Sequence, residues 1–196
     1  KTDGGILVSG CLPSSAHWSD ALLEFSAPSY ALQEFSVGAD SRVVSMAIQP
    51  DGMIVVGGWF TRLRGQSRRY IGRISPEGEL DPTFHPEANN GVFALAVQPD
   101  GKILVAGAFT TLANQPCWHI GRLHPDGSPD REFRAEVSGP VSSFGLQADG
   151  KILVAGDFRT LCGQERRGIG RLNPDGSLDV GFDLGADDTV WSVAVQ

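Results

Sequence analysis

The sequence predicts an all-β fold made of tandem repeats, and three observations support this prediction. Glycine and proline are frequent, with 25 glycines and 12 prolines in 196 residues, which indicates many tight turns. A glutamine recurs every 49 residues, at Gln49, Gln98, Gln147 and Gln196. No segment shows about ten or more residues with helical spacing of apolar positions. The fixed period decides the interpretation, because self-similarity of this length is typical of repeat architectures.

Each repeat is predicted to fold as a four-stranded antiparallel meander. In the third repeat, residues 92–98 and 102–109 form one hairpin, and residues 120–124 and 130–133 form a second. A Pro-Asp-Gly turn closes each hairpin. Four strands in about 49 residues are typical of a β-propeller blade. The predicted fold is therefore a β-propeller of four-stranded antiparallel blades, either one domain or a fragment of a larger propeller, with repeats at about 1–49, 50–98, 99–147 and 148–196.

The first strand of each repeat is predicted to lie nearest a common axis. One face of this strand carries only small side chains: Ser45 and Ala47, Ala94 and Ala96, Ser143 and Gly145, Ser192 and Ala194. The opposite face carries larger apolar side chains. Blades crowd together at a propeller axis, so a strand with small side chains suits the innermost position.

Both chain ends interrupt the repeat. Lys1–Gly4 is a first turn without the strand before it, and Val190–Gln196 is a first strand without the turn after it. The last strand could complete the N-terminal blade and close a ring, or the chain could be cut from a longer array. We favour a fragment of a larger propeller.

Composition excludes some functions and leaves others open. The net charge of −7 repels phosphate backbones, so no nucleic-acid partner is predicted. Apolar runs such as residues 103–106 are too short to cross a bilayer, so no membrane insertion is predicted. Cys11, Cys117 and Cys162 show no Cys-x-x-Cys spacing, and they leave the redox compartment undecided.

Two blocks that recur within the chain carry a resemblance to a known family. Residues 97–109 read Val-Gln-Pro-Asp-Gly-Lys-Ile-Leu-Val-Ala-Gly-Ala-Phe, and residues 122–130 read Arg-Leu-His-Pro-Asp-Gly-Ser-Pro-Asp. This pattern, kept over residues 43–196, resembles the delta-60 repeat, a bacterial propeller-type repeat of largely uncharacterised function. The resemblance implies a binding or architectural module in a larger surface assembly, with an extracellular, cell-surface or periplasmic location.

The first repeat departs from the pattern at two positions. Glu24 replaces the arginine of the third strand, and Gln33 replaces the aspartate of the fourth. Because arginine and aspartate are lost together, the two are predicted to pair across the hairpin where both are present. The pair is interpreted as a ligand-binding charge pair or as a bond between outer strands, and we favour the bond.

A propeller separates its tight turns from its variable loops, and contact residues concentrate in the loops. The repeated Pro-Asp-Gly turns are predicted to be turn formers and not calcium loops. Trp, Arg and His side chains dominate interface energetics when they are exposed. The predicted binding residues are His17, Trp18, Trp59, Arg64, Arg68, Arg69, Trp118, His119, Arg166 and Arg167. These residues could instead pack beneath loops or form a solvated rim, and that alternative stays open.

Catalytic motifs are absent from the sequence. There is no Gly-x-Ser-x-Gly elbow, no His-Glu-x-x-His pair and no phosphate-binding loop, so neither a metal nor a cofactor is predicted. The leading prediction is a non-catalytic module that binds a protein or a glycan through its loops. The alternative is a hydrolase or lyase at the channel mouth, built from His85, Glu87, His119, Asp187 and Asp188. A purely structural repeat is a third possibility.

Overall fold

The computed structural model describes the backbone of residues 6–11, 20–25 and 32–196, and the side chains from residue 37 onward. All regular elements in these residues are strands in antiparallel sheets, and no helix occurs among them. The predicted all-β fold is therefore confirmed. The first sheet contains β1 (Ile6–Cys11), β2 (Asp20–Phe25) and β3 (Leu32–Ser36).

The next three repeats share one plan of five strands. Repeat two contains β4 (Val43–Ile48), β5 (Ile54–Gly58), β6 (Arg62–Leu63), β7 (Gln66–Ser67) and β8 (Ile71–Ile74). Repeat three contains β9 (Val92–Val97), β10 (Ile103–Gly107), β11 (Thr111–Leu112), β12 (Gln115–Pro116) and β13 (Ile120–Leu123). Repeat four contains β14 (Val141–Leu146), β15 (Ile152–Gly156), β16 (Thr160–Leu161), β17 (Gln164–Glu165) and β18 (Ile169–Leu172). The first, second and fifth strands form a sheet, and the two short strands form a hairpin beside it.

The predicted fourth strand is wrong for these three repeats, because it shrinks to a single bridge such as Leu123–Pro129. After that bridge the Asp130 N–H still bonds the Arg122 carbonyl, at 2.9 Å. The Asp130 carboxylate then accepts the N–H of Glu132, which turns the chain away from the sheet. The same aspartate turn occurs in repeats two and four. Only the first repeat has a full strand here, and in it Gln33 lies opposite Glu24.

The first strands of the repeats lie side by side, with their small side chains facing the neighbouring repeat. Ser45 Oγ accepts the N–H of Leu95 at 3.0 Å, so β4 and β9 approach closely. Ser143 Oγ likewise accepts the N–H of Val193, at 3.3 Å. A cavity of about 670 Å³ lies where the ends of these strands meet, and equivalent residues line it: Ile48, Val97, Leu146 and Val195. This arrangement agrees with the predicted inner position of the strand.

Residues 190–196 follow the path expected of a first strand but do not form one. They run along β14, and Val190 donates its N–H to the Gly156 carbonyl at 3.1 Å. In repeats two to four, the first strand forms its backbone hydrogen bonds with the second strand of the same sheet. No described strand pairs with residues 190–196, so the predicted strand is wrong in the part of the chain that the structure covers.

A buried arginine joins repeat two to repeat three, and another joins repeat three to repeat four. Arg122 Nε donates to Asp130 at 2.8 Å, and Arg122 Nη1 donates to the Pro174 carbonyl, in the turn of repeat four, at 2.6 Å. The guanidinium also lies over the Phe133 ring, 4.7 Å from its centroid. Arg73 makes the equivalent contacts to Asp81, Phe84 and Pro125. The predicted Arg–Asp pair is thus present, and its burial favours the structural interpretation.

The Asp130 carboxylate predicts a loss of stability in acid. Burial alone would raise the pKa of Asp130, but hydrogen bonds from Lys102, the Glu132 N–H and Arg122 outweigh it and lower that pKa to about 2. A carboxyl with a depressed folded-state pKa stabilises the protein above its unfolded pKa and loses this effect as the pH falls. We expect Asp130 to contribute about 2 kcal/mol at neutral pH, lost between about pH 4 and pH 2.

Urea unfolding measured at a series of pH values would test this. The dependence of the unfolding free energy on pH below about 4 should be shallower in D130N than in the unsubstituted chain. Equal slopes in the two proteins would contradict the assignment of this acid sensitivity to Asp130.

Candidate functional site

The variable loops form one face, which we call the loop face. It consists of the connections between the second and third sheet strands, with their short hairpins, and of the connections between repeats. Side chains from the inter-repeat connections hold the hairpins: Asp40 accepts the N–H groups of Thr61 and Arg62, and Asn89 accepts those of Thr110 and Thr111. Because the backbone is bonded in this way, the loop face is a preformed surface.

Three of the predicted binding residues occupy one equivalent, outward-facing position before the third sheet strand. These are Arg69, Trp118 and Arg167, and all three are exposed. Trp118 exposes 53% of its surface, which is a large area for an indole. Arg167 forms an ion pair with Glu165 at 2.8 Å, on the surface. This position presents aromatic and cationic side chains to solvent in each repeat that the structure describes in full.

The expected exposure of Arg68 is wrong. Arg68 is only 2% exposed, and its neighbour Arg69, in the same connection between β7 and β8, takes the outward position. Arg166, at the equivalent position of repeat four, also points inward and donates to the Phe182 carbonyl at 3.1 Å. Both arginines brace the inside of a repeat, so they are removed from the set of exposed contact residues.

Trp59 and Arg64 lie at the surface of repeat two. The Trp59 ring packs against Phe93 of the next repeat, with centroids 5.2 Å apart, and still exposes 42% of the residue. Arg64 occupies the two-residue turn between β6 and β7, with a φ of 51° followed by 75° at Gly65. Such angles are typical of a type I′ hairpin turn, which projects its side chains into solvent.

His119 is held in an unusual backbone conformation. Its φ is 65°, and Tyr70 and Gly168 have almost the same angle at the equivalent positions. Burial lowers the pKa of His119, and the hydrogen bond with Gly107 opposes that shift. Nδ1 of the ring is buried without a partner among the described residues. His119 is therefore a neutral, half-buried side chain beneath the loop face.

His17 and Trp18, the remaining predicted binding residues, lie outside the described residues. So do the side chains of Cys11, Glu24 and Gln33. Of the three cysteines, Cys117 and Cys162 are free thiols in the structure.

A polar cavity of about 260 Å³ opens on the loop face of repeat four. Its walls include Arg167, which the sequence predicted, and two charged residues that the sequence analysis did not select, Asp157 and Arg159. Asp187 and Asp188 also line it. The missed residues occupy the position of Trp59 and its near neighbour, so comparing equivalent positions between repeats would have found them.

The cavity assembles only part of the alternative enzyme site. Asp187 and Asp188 line it, whereas His85, Glu87 and His119 are not among its lining residues. Residues 37–196 contain no cluster of three side chains able to hold a metal ion. Nor does the described part of the chain include a helix of the length and apolar character needed to cross a membrane.

Comparison with known proteins places the repeats in a family. The family described as a domain of unknown function (DUF5122) β-propeller matches residues 49–84, 98–133 and 147–182, together more than half of the chain. The chain belongs to this family. Each match to the DUF5122 repeat begins at the glutamine that directly follows a first strand and extends to the phenylalanine on which the arginine of the third sheet strand stacks. The matched unit therefore contains the Arg–Asp pair and the short hairpin of the loop face, and it leaves the connections between repeats outside it.

Other comparisons add little to this assignment. No curated protein matches the DUF5122 chain significantly. A protein of unknown function from Bacteroides caccae superposes with a TM-score of 0.41 at 12% identity, covering 89% of this chain and 92% of its own. The extracellular domain of a protein described as a hybrid two-component system from B. thetaiotaomicron gives a TM-score of 0.34 at 10% identity, covering 88% of this chain. The chain spans 28% of that second protein.

Proposed function

We propose that the chain is a non-catalytic binding module that holds a protein or glycan partner on its loop face. The observation that carries this proposal is the row of exposed side chains at one repeated position, Arg69, Trp118 and Arg167. Aromatic and arginine side chains supply most of the binding energy in known interfaces. Trp59 extends the same surface, and the hydrogen bonds within the loops hold it in place before any partner arrives.

We also propose the arrangement in which this module works. The repeats act as blades about one axis, supported by the central cavity that equivalent residues of successive first strands line. They are of the delta-60 type, and the protein carries them outside the cytoplasm as part of a larger surface assembly. Nucleic acid is not a proposed partner, because the net charge is −7.

Selection of ligands from a printed glycan array and a displayed random peptide library would test the function. We expect that any ligand obtained binds at least about tenfold more weakly to W118A and R167A, because each substitution removes an exposed contact. The matched control is E79A, which alters an exposed residue on the tight-turn face. Ligands that lose affinity for E79A, but keep it for both loop-face variants, would show that the wrong face has been chosen.

A further inference from the structure

Repeat three has a cavity where repeats two and four have an arginine. The inward-facing residue before the third sheet strand is Arg68 in repeat two, Cys117 in repeat three and Arg166 in repeat four. The two arginine side chains extend from this position to the segment that follows the Pro-Asp-Gly or Pro-Glu-Gly turn. Cysteine is too short to reach this far. A cavity of about 390 Å³ therefore lies beside Cys117, between Leu112 and Phe133.

Backbone carbonyl groups hold both of the arginines. In each, Nη1 donates to the carbonyl of the preceding residue at 2.7 Å. Arg68 Nη2 also donates to the Asp81 carbonyl at 3.2 Å. Arg166 donates from Nε to the Phe182 carbonyl at 3.1 Å and from Nη2 to the Val180 carbonyl at 3.4 Å. Apart from the carbonyl of the preceding residue, the acceptors lie in one short segment after the turn, residue 81 in repeat two and residues 180–182 in repeat four.

Repeat three has the same backbone positions that supply these acceptors, although one side chain differs. The positions equivalent to Asp81, Val180 and Phe182 are Asp130, Arg131 and Phe133, and all three line the cavity. The carboxylate environment is kept in part: Arg134 stands where Asp183 pairs with Arg166 at 3.5 Å in repeat four, but two other acids remain. Burial lowers the pKa of Arg68, and the negative charges of Glu87 and Asp81 oppose that shift. Glu136 occupies the position of Glu87 and also lines the cavity.

Two further features of the cavity bear on its ligand. Trp118 lines it with an exposed indole, on which a guanidinium can stack. Arg131 and Arg134 also line it, but both side chains are exposed, so solvent and salt screen their charges. The two arginine side chains can also turn outward into solvent, whereas the backbone carbonyl groups of the cavity are fixed in place.

Cys117 itself is a wall of the cavity and not a nucleophile. Its thiol lies 2.8 Å from the Ile120 carbonyl, to which it donates. Burial raises the pKa of Cys117 to about 12, so the thiolate is scarce at neutral pH.

We propose that the cavity of repeat three binds an arginine side chain of a partner polypeptide. The incoming guanidinium takes the place that Arg68 and Arg166 fill in the neighbouring repeats. The proposal rests on the proposed loop-face function only through Trp118. Its test uses a small probe, so it can succeed or fail whether or not any partner for the loop face is found.

The probe is arginine amide, and the indole N–H of Trp118 is the reporter in NMR spectra, assigned by comparison with W118F. We expect a saturable shift of this signal with a Kd on the order of 1 mM, as suits a ligand of this size. Lysine amide, with the same charge but no planar fork, should bind at least about tenfold more weakly. C117R, which installs the internal arginine of the other repeats, should abolish the shift.

The converse variant makes the test independent of whether C117R folds. R68C copies the repeat-three arrangement into repeat two, and we expect its lowered Tm to be restored in part by arginine amide but not by lysine amide. R69A, which removes the exposed neighbour, should gain nothing from either compound. The proposal is overturned by equal binding of the two amides, by a saturable shift with N-acetylglutamate instead, by no saturable shift, or by failure of arginine amide to rescue R68C.

Discussion

Replacing Arg122 with alanine is expected to lower the free energy of unfolding by about 3–5 kcal/mol, because it leaves a buried carboxylate short of its main partner. The Asp130 side chain is 2% exposed, and after the substitution only Lys102 remains to balance its charge. The variant also loses the hydrogen bond to the Pro174 carbonyl, which joins repeat three to repeat four. Urea denaturation followed by tryptophan fluorescence would measure the loss.

Two further variants separate the causes of this effect. R171A removes the equivalent arginine at a more exposed site, with a side-chain exposure of 22% against 8%, so its cost should be roughly half. The double variant R122M/D130L removes both charges and should be more stable than R122A. If the double variant were less stable than R122A, the stranded Asp130 charge would not be the source of the loss.

Replacing Gly107 with alanine is expected to destabilise the protein by about 3 kcal/mol, because the new methyl group has no space. A Cβ at Gly107 would overlap the carbonyl oxygen of Gly91, and it would lie 3.0 Å from the Val92 Cα. These are backbone atoms, so no side chain can move aside to relieve the contact. Gly58 and Gly156 meet the same obstacle at the equivalent positions. The close approach is therefore a property of the repeat.

Gly185→Ala is the matched control for this prediction. A Cβ at Gly185 would have no neighbour within 4 Å, and its φ lies outside the left-handed region. We expect a change within about 0.5 kcal/mol, as for other exposed sites. Equal unfolding midpoints for G107A and G185A would contradict the close packing of β10 against the residues before β9.

The sequence predicted the long strands correctly. It failed for the short fourth strand and for residues 190–196, whose backbone pairing depends on their neighbours. The alternation in residues 92–98 and 102–109 matches β9 and β10 closely. The fourth strand failed because its aspartate can pair with arginine and also bend its own backbone, and the second role ends the ladder after one bridge. Residues 190–196 have the composition of a strand, but composition does not supply a neighbouring strand with which to pair.

The candidate site was only partly predictable. Arg68 and Arg69 look alike in the sequence, yet one lies inside the repeat and the other outside. Both lie in the connection between β7 and β8, where no regular spacing in the sequence says which side chain faces inward. Cys117 shows the same limit, because the cavity beside it becomes apparent only when its position is compared with those of Arg68 and Arg166 in the structure.

By itself, the sequence determined the period of 49 residues, the turn chemistry and the order of the long strands, because these depend on local residue preferences and regular spacing. It also determined that arginine and aspartate occur together. Only the tertiary structure decided that this pair reaches the turn of the next repeat, which arginines are buried, and that repeat three contains a cavity. Those features depend on how repeats pack against one another, and a volume left empty by a short side chain exists only after its neighbours are in place.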